Sequence, residues 1–387
     1  MKSANSTMSA LGTTVFEVMS ALAREHKSVN LGQGFPDDKG PEEVRVAAAE
    51  YLLTGHNQYP PMMGIPELRQ AVAEHAKRFQ GLDIDWQSEV LVTSGATEAL
   101  GDCLFGLIEP GDEVVLIEPL YDSYLPMVRR AGGVPKLVRL EPPHWRLPRE
   151  ELAAAFGPKT KLILFNTPMN PCSKVFDEEE LSFIAGLCLQ HDVYAVCDEV
   201  YEHIIFDDRR HISMMTLPGM RDRTVRIGSA GKSFSLTGWK VGYITAAPEL
   251  MKPIAKTHQF MTFTTPPNLQ WGAATGLRLG DGYFSTLATD MQRKRDRLAT
   301  ALAQIGFDVL PAHGTYFVTT DFRPLGFNGT DEDFCRHITV KAGVTAVPVS
   351  AFYQSAEAPR YFARFCFCKD DSTLDSAIER LRAHFCT

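Results

Sequence analysis

Short apolar runs rich in β-branched residues recur through the middle of the chain, and segments of helical length separate most of them. Strands of a parallel sheet look like this when helices cover both faces, because the side chains on both faces are then buried. The pattern therefore predicts an α/β fold whose large domain contains a mostly parallel sheet flanked by helices. The predicted strands are Glu89–Val92, Glu113–Ile117, Lys161–Phe165, Val193–Cys197, Thr224–Ile227 and Val241–Thr245.

The pattern changes after about Gly280. A long, charge-rich helical segment leads into mixed strand-like and helical segments, which predict a smaller α+β domain. We expect the first forty or so residues to pack beside that domain, since they contain no strand of the main sheet. The predicted divisions are an N-terminal arm at 1–42, a large domain at 43–280 and a small C-terminal domain at 281–387. The elements predicted in the small domain are helices Phe284–Gln304, Asp331–Lys341 and Ser372–Phe385 and strands Tyr316–Thr319 and Tyr361–Cys368.

The charge balance disfavours a nucleic-acid-binding protein. The 387 residues include 39 Lys and Arg and 47 Asp and Glu, a formal net charge of −8, whereas nucleic-acid binders usually present a basic surface. No apolar run approaches the ~18–20 residues that cross a bilayer. The first residues also lack the apolar block of a secretory signal. We therefore expect a cytoplasmic protein that binds neither nucleic acid nor membrane.

The eight cysteines are too sparse for a disulfide scaffold in a chain of 387 residues. Cys366 and Cys368 are spaced C-x-C, but no cluster of His or Cys nearby completes a metal site. We expect reduced thiols and no bound metal.

Polar and aromatic residues follow five of the predicted strands. Ligands of an open α/β sheet bind at the carboxyl ends of its strands. Here those ends supply a turn into a helix that suits an anion, an aromatic face, an amide, a carboxylate with a phenol, and a lysine. Such a set predicts a site for a charged aromatic cofactor with a phosphate arm. The segments are Thr93–Glu98, Glu118–Tyr124, Asn166–Pro171, Asp198–Tyr201 and Gly228–Ser233.

Two generic nucleotide-binding motifs fail on their spacing. Gly231-Lys232-Ser233 imitates the end of a P-loop, but Arg226 occupies the position of the leading glycine. Gly32-Gln33-Gly34 lacks the third glycine of a dinucleotide fingerprint, because that position is Asp37.

Short motifs occur in one order along the chain, and Ser229-x-x-Lys232 followed by Gly238-Trp-Lys-Val-Gly-Tyr243 resembles the lysine signature of the class I aminotransferases. This family uses pyridoxal 5'-phosphate. The chain is most similar to its methionine aminotransferase and kynurenine–oxoglutarate aminotransferase (glutamine transaminase K) branch. The resemblance implies the aspartate-aminotransferase-like fold, with a seven-stranded sheet. The motifs are Asn30–Pro36, Asn57–Tyr59, Gly95–Thr97, Asn170-Pro171, Asp198–Tyr201, Lys232 and Arg364.

The resemblance implies roles at the reactive end of the cofactor. Lys232 corresponds to the Schiff-base lysine, whose amine must be neutral to attack an aldehyde; burial of a lysine lowers its pKa and favours that form. Asp198 corresponds to the carboxylate that keeps the pyridine nitrogen protonated, so that the ring can accept electrons. Tyr201 and Asn170 correspond to donors to the 3'-oxygen.

The resemblance also implies a phosphate site. Gly95, Ala96 and Thr97 open a helix, whose free N–H groups and dipole favour an anion. Ser229 and Lys240 match further phosphate ligands of the family.

Two tyrosines have expected roles beside the cofactor. Tyr59 resembles the phosphate ligand that the other subunit contributes, which implies a homodimer with active sites shared across the interface. Tyr121 is expected to stack on the cofactor ring, and Tyr124 is the alternative for that position.

The α-carboxylate of the substrate is expected to pair with Arg364, because a guanidinium binds a carboxylate through two parallel hydrogen bonds. Gly34 lets its backbone N–H approach the same carboxylate, and Asn170 belongs to the same expected set. The candidate side-chain pocket residues are Phe16, Phe263 and Phe352.

These roles imply an aminotransferase with ping-pong kinetics, in which Lys232 moves the Cα proton of the amino acid. No second arginine matches a dicarboxylate substrate, so methionine, glutamine, kynurenine and phenylalanine stay open as donors. The alternative is a β-lyase of the cysteine-conjugate or cystathionine type, because the same carbanion eliminates a good β-leaving group.

Overall fold

Fifteen α-helices lie in the part of the chain that the structure describes. The structure is a computed structural model that covers residues 2–355 and 357–386. No helix within those ranges has the length and apolar character that crossing a bilayer requires. In chain order they are α1 (Ser6–Ser9), α2 (Val15–His26), α3 (Glu42–Thr54), α4 (Pro66–Gln80), α5 (Trp86–Glu89), α6 (Gly95–Leu107), α7 (Tyr124–Arg130), α8 (Arg149–Ala154), α9 (Glu178–His191), α10 (Ala230–Ser233), α11 (Pro248–Met261), α12 (Pro267–Leu277), α13 (Asp281–Ile305), α14 (Asp331–His337) and α15 (Asp371–Phe385).

Thirteen strands fall into three sheets within the same described ranges. In chain order they are β1 (Val29–Asn30), β2 (Val90–Thr93), β3 (Glu113–Glu118), β4 (Val134–Arg139), β5 (Thr160–Asn166), β6 (Tyr194–Asp198), β7 (Thr224–Ser229), β8 (Gly242–Thr245), β9 (Asp308–Val309), β10 (Phe317–Asp321), β11 (Val344–Thr345), β12 (Val347–Pro348) and β13 (Phe362–Cys366). Short 3-10 or π turns occupy Met214–Thr216, Thr237–Trp239, Arg323–Leu325, Ile338–Ala342 and Val349–Phe352.

The main sheet has seven strands in the order β2-β8-β7-β6-β5-β3-β4. Strand β8 runs antiparallel to both of its neighbours, and the other pairs are parallel. Successive side chains of β3 bury on opposite faces: Val114 and Leu116 pack with α6 and α11, while Val115 and Ile117 pack with α9. The predicted α/β fold with a sheet covered on both faces is therefore confirmed.

Strand β4 is the one strand of this sheet that the apolar runs did not reveal. It forms the edge of the sheet beside β3, and most of its residues are only partly buried. Pro135, Lys136 and Arg139 interrupt its apolar pattern, which an edge strand tolerates because one side of its ladder faces solvent.

A second, antiparallel sheet follows the long helix α13, in the order β12-β13-β10-β9. The N-terminal segment joins it through β1, which pairs in parallel with β11, and through α2, which contacts β11 and β12. The shorter helix α1 instead contacts α7 beside the main sheet. The predicted domain boundaries at residues 42 and 280 stay a prediction.

Candidate active site

The carboxyl ends of β2, β5, β6 and β7 open onto one cavity of about 330 Å³. The topology explains this meeting, since neighbouring parallel strands deliver their following loops to the same edge of the sheet. Segments from the second sheet and the N-terminal arm close the other side. Thirteen of the site residues that the sequence predicts line this cavity: Phe16, Gly34, Gly95, Ala96, Thr97, Tyr121, Asn170, Asp198, Tyr201, Ser229, Lys232, Lys240 and Arg364.

Lys232 lies on the single-turn helix α10, directly after β7. Its amine donates a hydrogen bond to the hydroxyl of Tyr316 at 2.9 Å. Burial lowers the pKa of Lys232, and the carboxylate of Asp198 opposes that shift only in part. The surroundings therefore favour the neutral amine that nucleophilic attack requires.

Tyr316 is a site residue that the sequence reading missed. Its hydroxyl accepts from Lys232 and donates to the carbonyl oxygen of Gly34 at 2.7 Å. Its ring also packs edge to face with that of Tyr201, with centroids 5.2 Å apart. The only local signal was its position at the start of a predicted strand, which says nothing about which side chains it meets.

Asp198 ends β6 and is 6% exposed. Its carboxylate accepts from the Tyr124 hydroxyl at 2.6 Å and from the backbone N–H of Val200 at 3.3 Å. Burial raises the pKa of Asp198, and these two donors oppose the rise. Tyr124 thus contacts Asp198 directly and is 2% exposed, while of these two alternatives Tyr121 lines the cavity.

Arg364 enters the cavity from β13. Its guanidinium donates to the Asn170 side-chain oxygen at 2.6 Å and to the carbonyl oxygen of Gly32 at 2.9 Å, and the Phe317 ring lies 3.8 Å from its Cζ. Burial lowers the pKa of Arg364 to about 10, which leaves it charged at neutral pH. Its Nε is buried without a hydrogen-bond partner in the described chain, so the guanidinium retains donor capacity for an anion.

Hydrogen bonds through the amides of Asn170 and Asn166 connect this guanidinium to the main sheet. The backbone N–H of Asn170 donates to the Asn166 side chain at 2.7 Å, and the amide nitrogen of Asn166 donates to the carbonyl oxygen of Asp198 at 2.7 Å. The anion end and the carboxylate end of the cavity are therefore held in one hydrogen-bonded arrangement. Asn166 lay inside the segment singled out after β5, but the sequence did not assign it a role.

The other end of the cavity is built on the first turn of α6. Gly95 adopts a left-handed φ of 78°, and a Cβ there would lie 3.4 Å from the amine of Lys240. A glycine therefore leaves room for that amine above the helix start, where backbone N–H groups are free. Ser229 lines the same end of the cavity.

Tyr59 and Phe263 do not line the cavity of their own chain. They pack edge to face on the surface, with centroids 5.6 Å apart, and are 82% and 40% exposed. Phe263 therefore does not line the cavity of its own chain, and its predicted place in the pocket stays a prediction. Phe263 follows the C-terminal end of α11 with a φ of 71°, rare for an aromatic residue, which carries its side chain outward.

The cavity residues fit pyridoxal phosphate. The hydrogen-bond donors that Asp198 meets are neutral, so a protonated pyridine nitrogen would supply the positive charge that this buried carboxylate lacks. A buried amine stands ready for an aldehyde, and a helix N-terminus with Lys240 and Ser229 suits a phosphate. No group of metal ligands touches this cavity in the described part of the chain.

Comparison with known proteins agrees with this arrangement. The model of the family "Aminotransferase class I and II" matches residues 26–381. Methionine aminotransferase of Escherichia coli is 40% identical, with 96% of each chain aligned. Human kynurenine–oxoglutarate transaminase 1 is 38% identical over 93% of each chain. The solved structure of N-succinyldiaminopimelate aminotransferase from Mycobacterium tuberculosis superposes with a TM-score of 0.96, at 42% identity, over 98% of this chain and 100% of that one.

Proposed function

The chain belongs to the class I and II aminotransferases, and from that premise we propose that it takes the amino group from an amino acid with an uncharged side chain, of the methionine, glutamine or aromatic type. A 2-oxo acid is the acceptor. Pyridoxal phosphate is the cofactor of this family; when bound, it supplies an aldehyde that reacts with amines and a ring that accepts the electrons released at the substrate Cα.

The observation that carries the substrate proposal is the pairing of a single guanidinium with an aromatic wall. Arg364 is the only arginine among the described cavity residues. It suits the α-carboxylate, which every amino acid presents, and it leaves no second guanidinium for a side-chain carboxylate. Phe16 and Phe35 line the same cavity, and such rings favour an apolar or aromatic side chain.

The chain's own groups then have distinct tasks. Lys232 takes the proton from the substrate Cα at its Nζ, because its lowered pKa favours the neutral amine that can accept one. Asp198 would stabilise positive charge at the ring nitrogen of a bound cofactor, and Tyr124 orients Asp198 through its 2.6 Å hydrogen bond. Tyr121 offers a ring for stacking, while Tyr201 and Asn170 offer donors to the 3'-oxygen. Arg364 orients the substrate by its carboxylate, which aims the Cα–H bond at the amine.

We propose a homodimer in which Tyr59 and Phe263 serve the partner's cavity. The support is an apolar surface at the end of α11 and the adjoining loop, which we call the Tyr59 surface. Its members are exposed aromatic or apolar side chains, and their exposure to water is unfavourable unless a second copy of the chain covers them. They are Tyr59 (82% exposed), Phe260 (82%), Met261 (62%) and Phe263 (40%).

The test is a panel of amino donors with one 2-oxo acid, followed through each half-reaction by the absorbance of the bound cofactor. We expect methionine, glutamine, kynurenine or phenylalanine to react faster than aspartate, glutamate and N-succinyldiaminopimelate. A preference for N-succinyldiaminopimelate would contradict the proposal. Pyruvate and ammonia formed from cystathionine or a cysteine conjugate without an added 2-oxo acid would point instead to β-elimination.

A further inference from the structure

His258 lies on α11 behind the phosphate end of the cavity and is fully buried. Its Nδ1 is 2.9 Å from a carboxylate oxygen of Glu98, and its Nε2 is 3.1 Å from the carbonyl oxygen of Met62. Asp102, one turn further along α6, brings a second carboxylate to 3.7 Å from Nδ1. One imidazole thus contacts helix α6 and the loop before α4.

The two acceptors determine the protonation of this ring. A carbonyl oxygen and a carboxylate oxygen can only accept, so each ring nitrogen must carry a hydrogen to bond with its neighbour. A neutral imidazole would leave one lone pair facing an oxygen. The titratable groups that face the ring are Glu98 and Asp102, and the thiol of Cys103 lies beside Asp102. Burial lowers the pKa of His258, but the two carboxylates outweigh that effect and raise the pKa to about 9.

Asp102 makes the positive charge necessary. Both of its carboxylate oxygens are buried and have no hydrogen-bond partner in the described chain. Burial raises its pKa to about 6. With the partly buried Glu98 beside it, loss of the imidazolium would leave two carboxylates in one site without a cation, a costly arrangement.

Glu98 transmits the contact to the phosphate end. Its second carboxylate oxygen accepts a hydrogen bond from the backbone N–H of Ser94, at the residue that precedes Gly95. The helix start that lines the cavity is therefore held on one side by the carboxylate that the imidazolium neutralises.

His258 is connected to the Tyr59 surface in two ways, through its own backbone carbonyl and through the hydrogen bond between its ring and Met62. Its carbonyl oxygen accepts from the N–H groups of Thr262 and Phe263, at 3.1 and 2.9 Å. The bonded carbonyl of Met62 lies three residues after Tyr59. His258 thus connects the start of α6, the loop from Tyr59 to Met62 (the Tyr59 loop) and the turn at Phe263.

We propose that His258, as a buried imidazolium, is a positioning residue for the cofactor phosphate: through Glu98 and Met62 it fixes the first turn of α6 and the Tyr59 loop. The inference rests on the proposed function, in that it assigns the phosphate to the first turn of α6. It adds a residue that lines no part of the cavity.

The test measures the dissociation constant of pyridoxal phosphate from the full chain between pH 7 and pH 10, by the absorbance of the bound cofactor and the phosphorus NMR signal of its phosphate. The variants are His258→Gln, Asp102→Asn and His75→Gln. His75 is a matched control, because it is equally buried and burial lowers its pKa to about 4, so it is uncharged at neutral pH.

At pH 7 we expect His258→Gln to weaken cofactor binding by about tenfold, roughly 1.4 kcal/mol, and to move the phosphorus signal. The ratio of the dissociation constant of this variant to that of the wild type should fall toward one at pH 10, because the wild-type imidazolium is then deprotonated. Asp102→Asn should bind normally at pH 7 and lose affinity at a lower pH than the wild type, since one carboxylate that raises the pKa of His258 is gone. His75→Gln should follow the wild type throughout.

A ratio of these dissociation constants that stays constant from pH 7 to pH 10 would overturn the proposal, because that result is expected if His258 has a purely structural role. Stoichiometric transition metal in the purified protein would also overturn it, since Nδ1 would then be a ligand with Met62 as the outer hydrogen-bond acceptor. If Asp102→Asn behaves as the wild type at every pH, the charge argument is wrong even if His258→Gln fails to fold. A wild-type chain that does not bind pyridoxal phosphate would overturn the proposed function itself.

Discussion

The amine of Lys232 lies 2.9 Å from the hydroxyl of Tyr316, whose own proton is donated to the carbonyl of Gly34. In this geometry the phenol oxygen of Tyr316 accepts the hydrogen bond from the amine of Lys232 and thereby fixes the position of the amine.

Replacement Tyr316→Phe removes this acceptor without changing the ring. We expect kcat to fall by about tenfold, because one hydrogen bond contributes about 1–1.5 kcal/mol to holding the amine in place. Single-turnover rates of the amino-donor half-reaction measure the effect. Tyr353→Phe is the matched control, since the Tyr353 hydroxyl is buried without a partner in the described chain; equal losses in both variants would refute the role of Tyr316.

Lys232→Ala should abolish both the covalent attachment of the cofactor and transamination, because the other lysine that lines the described cavity, Lys240, is exposed. Lys240→Ala should have a different effect. We expect weaker binding of the cofactor but normal turnover at saturating cofactor, since Lys240 is assigned only to the phosphate. The absorbance of the bound cofactor after borohydride treatment distinguishes the two. Retained turnover in Lys232→Ala would contradict the assignment.

Arg364→Lys should raise KM for the amino donor by about ten- to a hundredfold, with a smaller effect on kcat. An ammonium cannot make the two parallel hydrogen bonds of a guanidinium, and each charge-assisted bond contributes about 1.5–3 kcal/mol. Steady-state kinetics with a fixed 2-oxo acid measure this split. Arg146→Lys, at a side chain that is 76% exposed, is the control, and an unchanged KM in Arg364→Lys would exclude the carboxylate contact.

Tyr124→Phe should shift the acidic limb of the pH–rate profile to higher pH. The Tyr124 hydroxyl donates to Asp198 and thereby opposes the rise in pKa that burial causes. Without that donor the pKa of Asp198 rises further, so the carboxylate becomes neutral, and loses its hold on a protonated ring nitrogen, at a higher pH than in the wild type. An acidic limb that stays in place would show that Tyr124 only fills space.

Removal of Arg226 should be strongly destabilising, because its charge is paired inside the protein. It is fully buried and donates to Glu199 at 2.7 Å and to Glu202. Burial opposes ionisation of Glu202, but Arg226 outweighs it and holds the pKa of that carboxyl below its ordinary value. Stability from this pair is therefore present at neutral pH and is lost as the pH falls through the lowered value.

Arg226→Met removes the guanidinium that two buried carboxylates share, although Glu199 keeps its contacts with His211 and Ser213. The variant should lower the free energy of unfolding by about 3–5 kcal/mol. Arg223→Met, which loses only a pair to a carboxylate that is 92% exposed, should cost about 0–1 kcal/mol. Denaturant unfolding of both variants at pH 7 and pH 4 measures the difference. Equal losses would contradict the buried-pair argument, and a larger loss for Arg226→Met at pH 4 than at pH 7 would contradict the sign of the pH dependence.

Local sequence determined the strands of the main sheet and the residues that follow them. Buried parallel strands need nearly continuous apolar runs, and such runs are visible without any knowledge of partners. Asp198 ends β6, and Lys232 and Asn170 follow the ends of β7 and β5 within four residues, so the topology of the sheet predicts that they meet. The edge strand β4 escaped because its mixed composition is permitted only where one side faces solvent.

Tertiary structure alone decided which distant groups meet. Tyr316 is 84 residues from Lys232, and His258 is 160 residues from Glu98. Tyr124 contacts Asp198 and Tyr121 lines the cavity, because the packing of separate elements decided between the two tyrosines that the sequence offered for one position. Hydrophobic periodicity reports which face of an element is buried, whereas a hydrogen bond depends on distances of a few tenths of an ångström between elements, and that information exists only once the chain has folded.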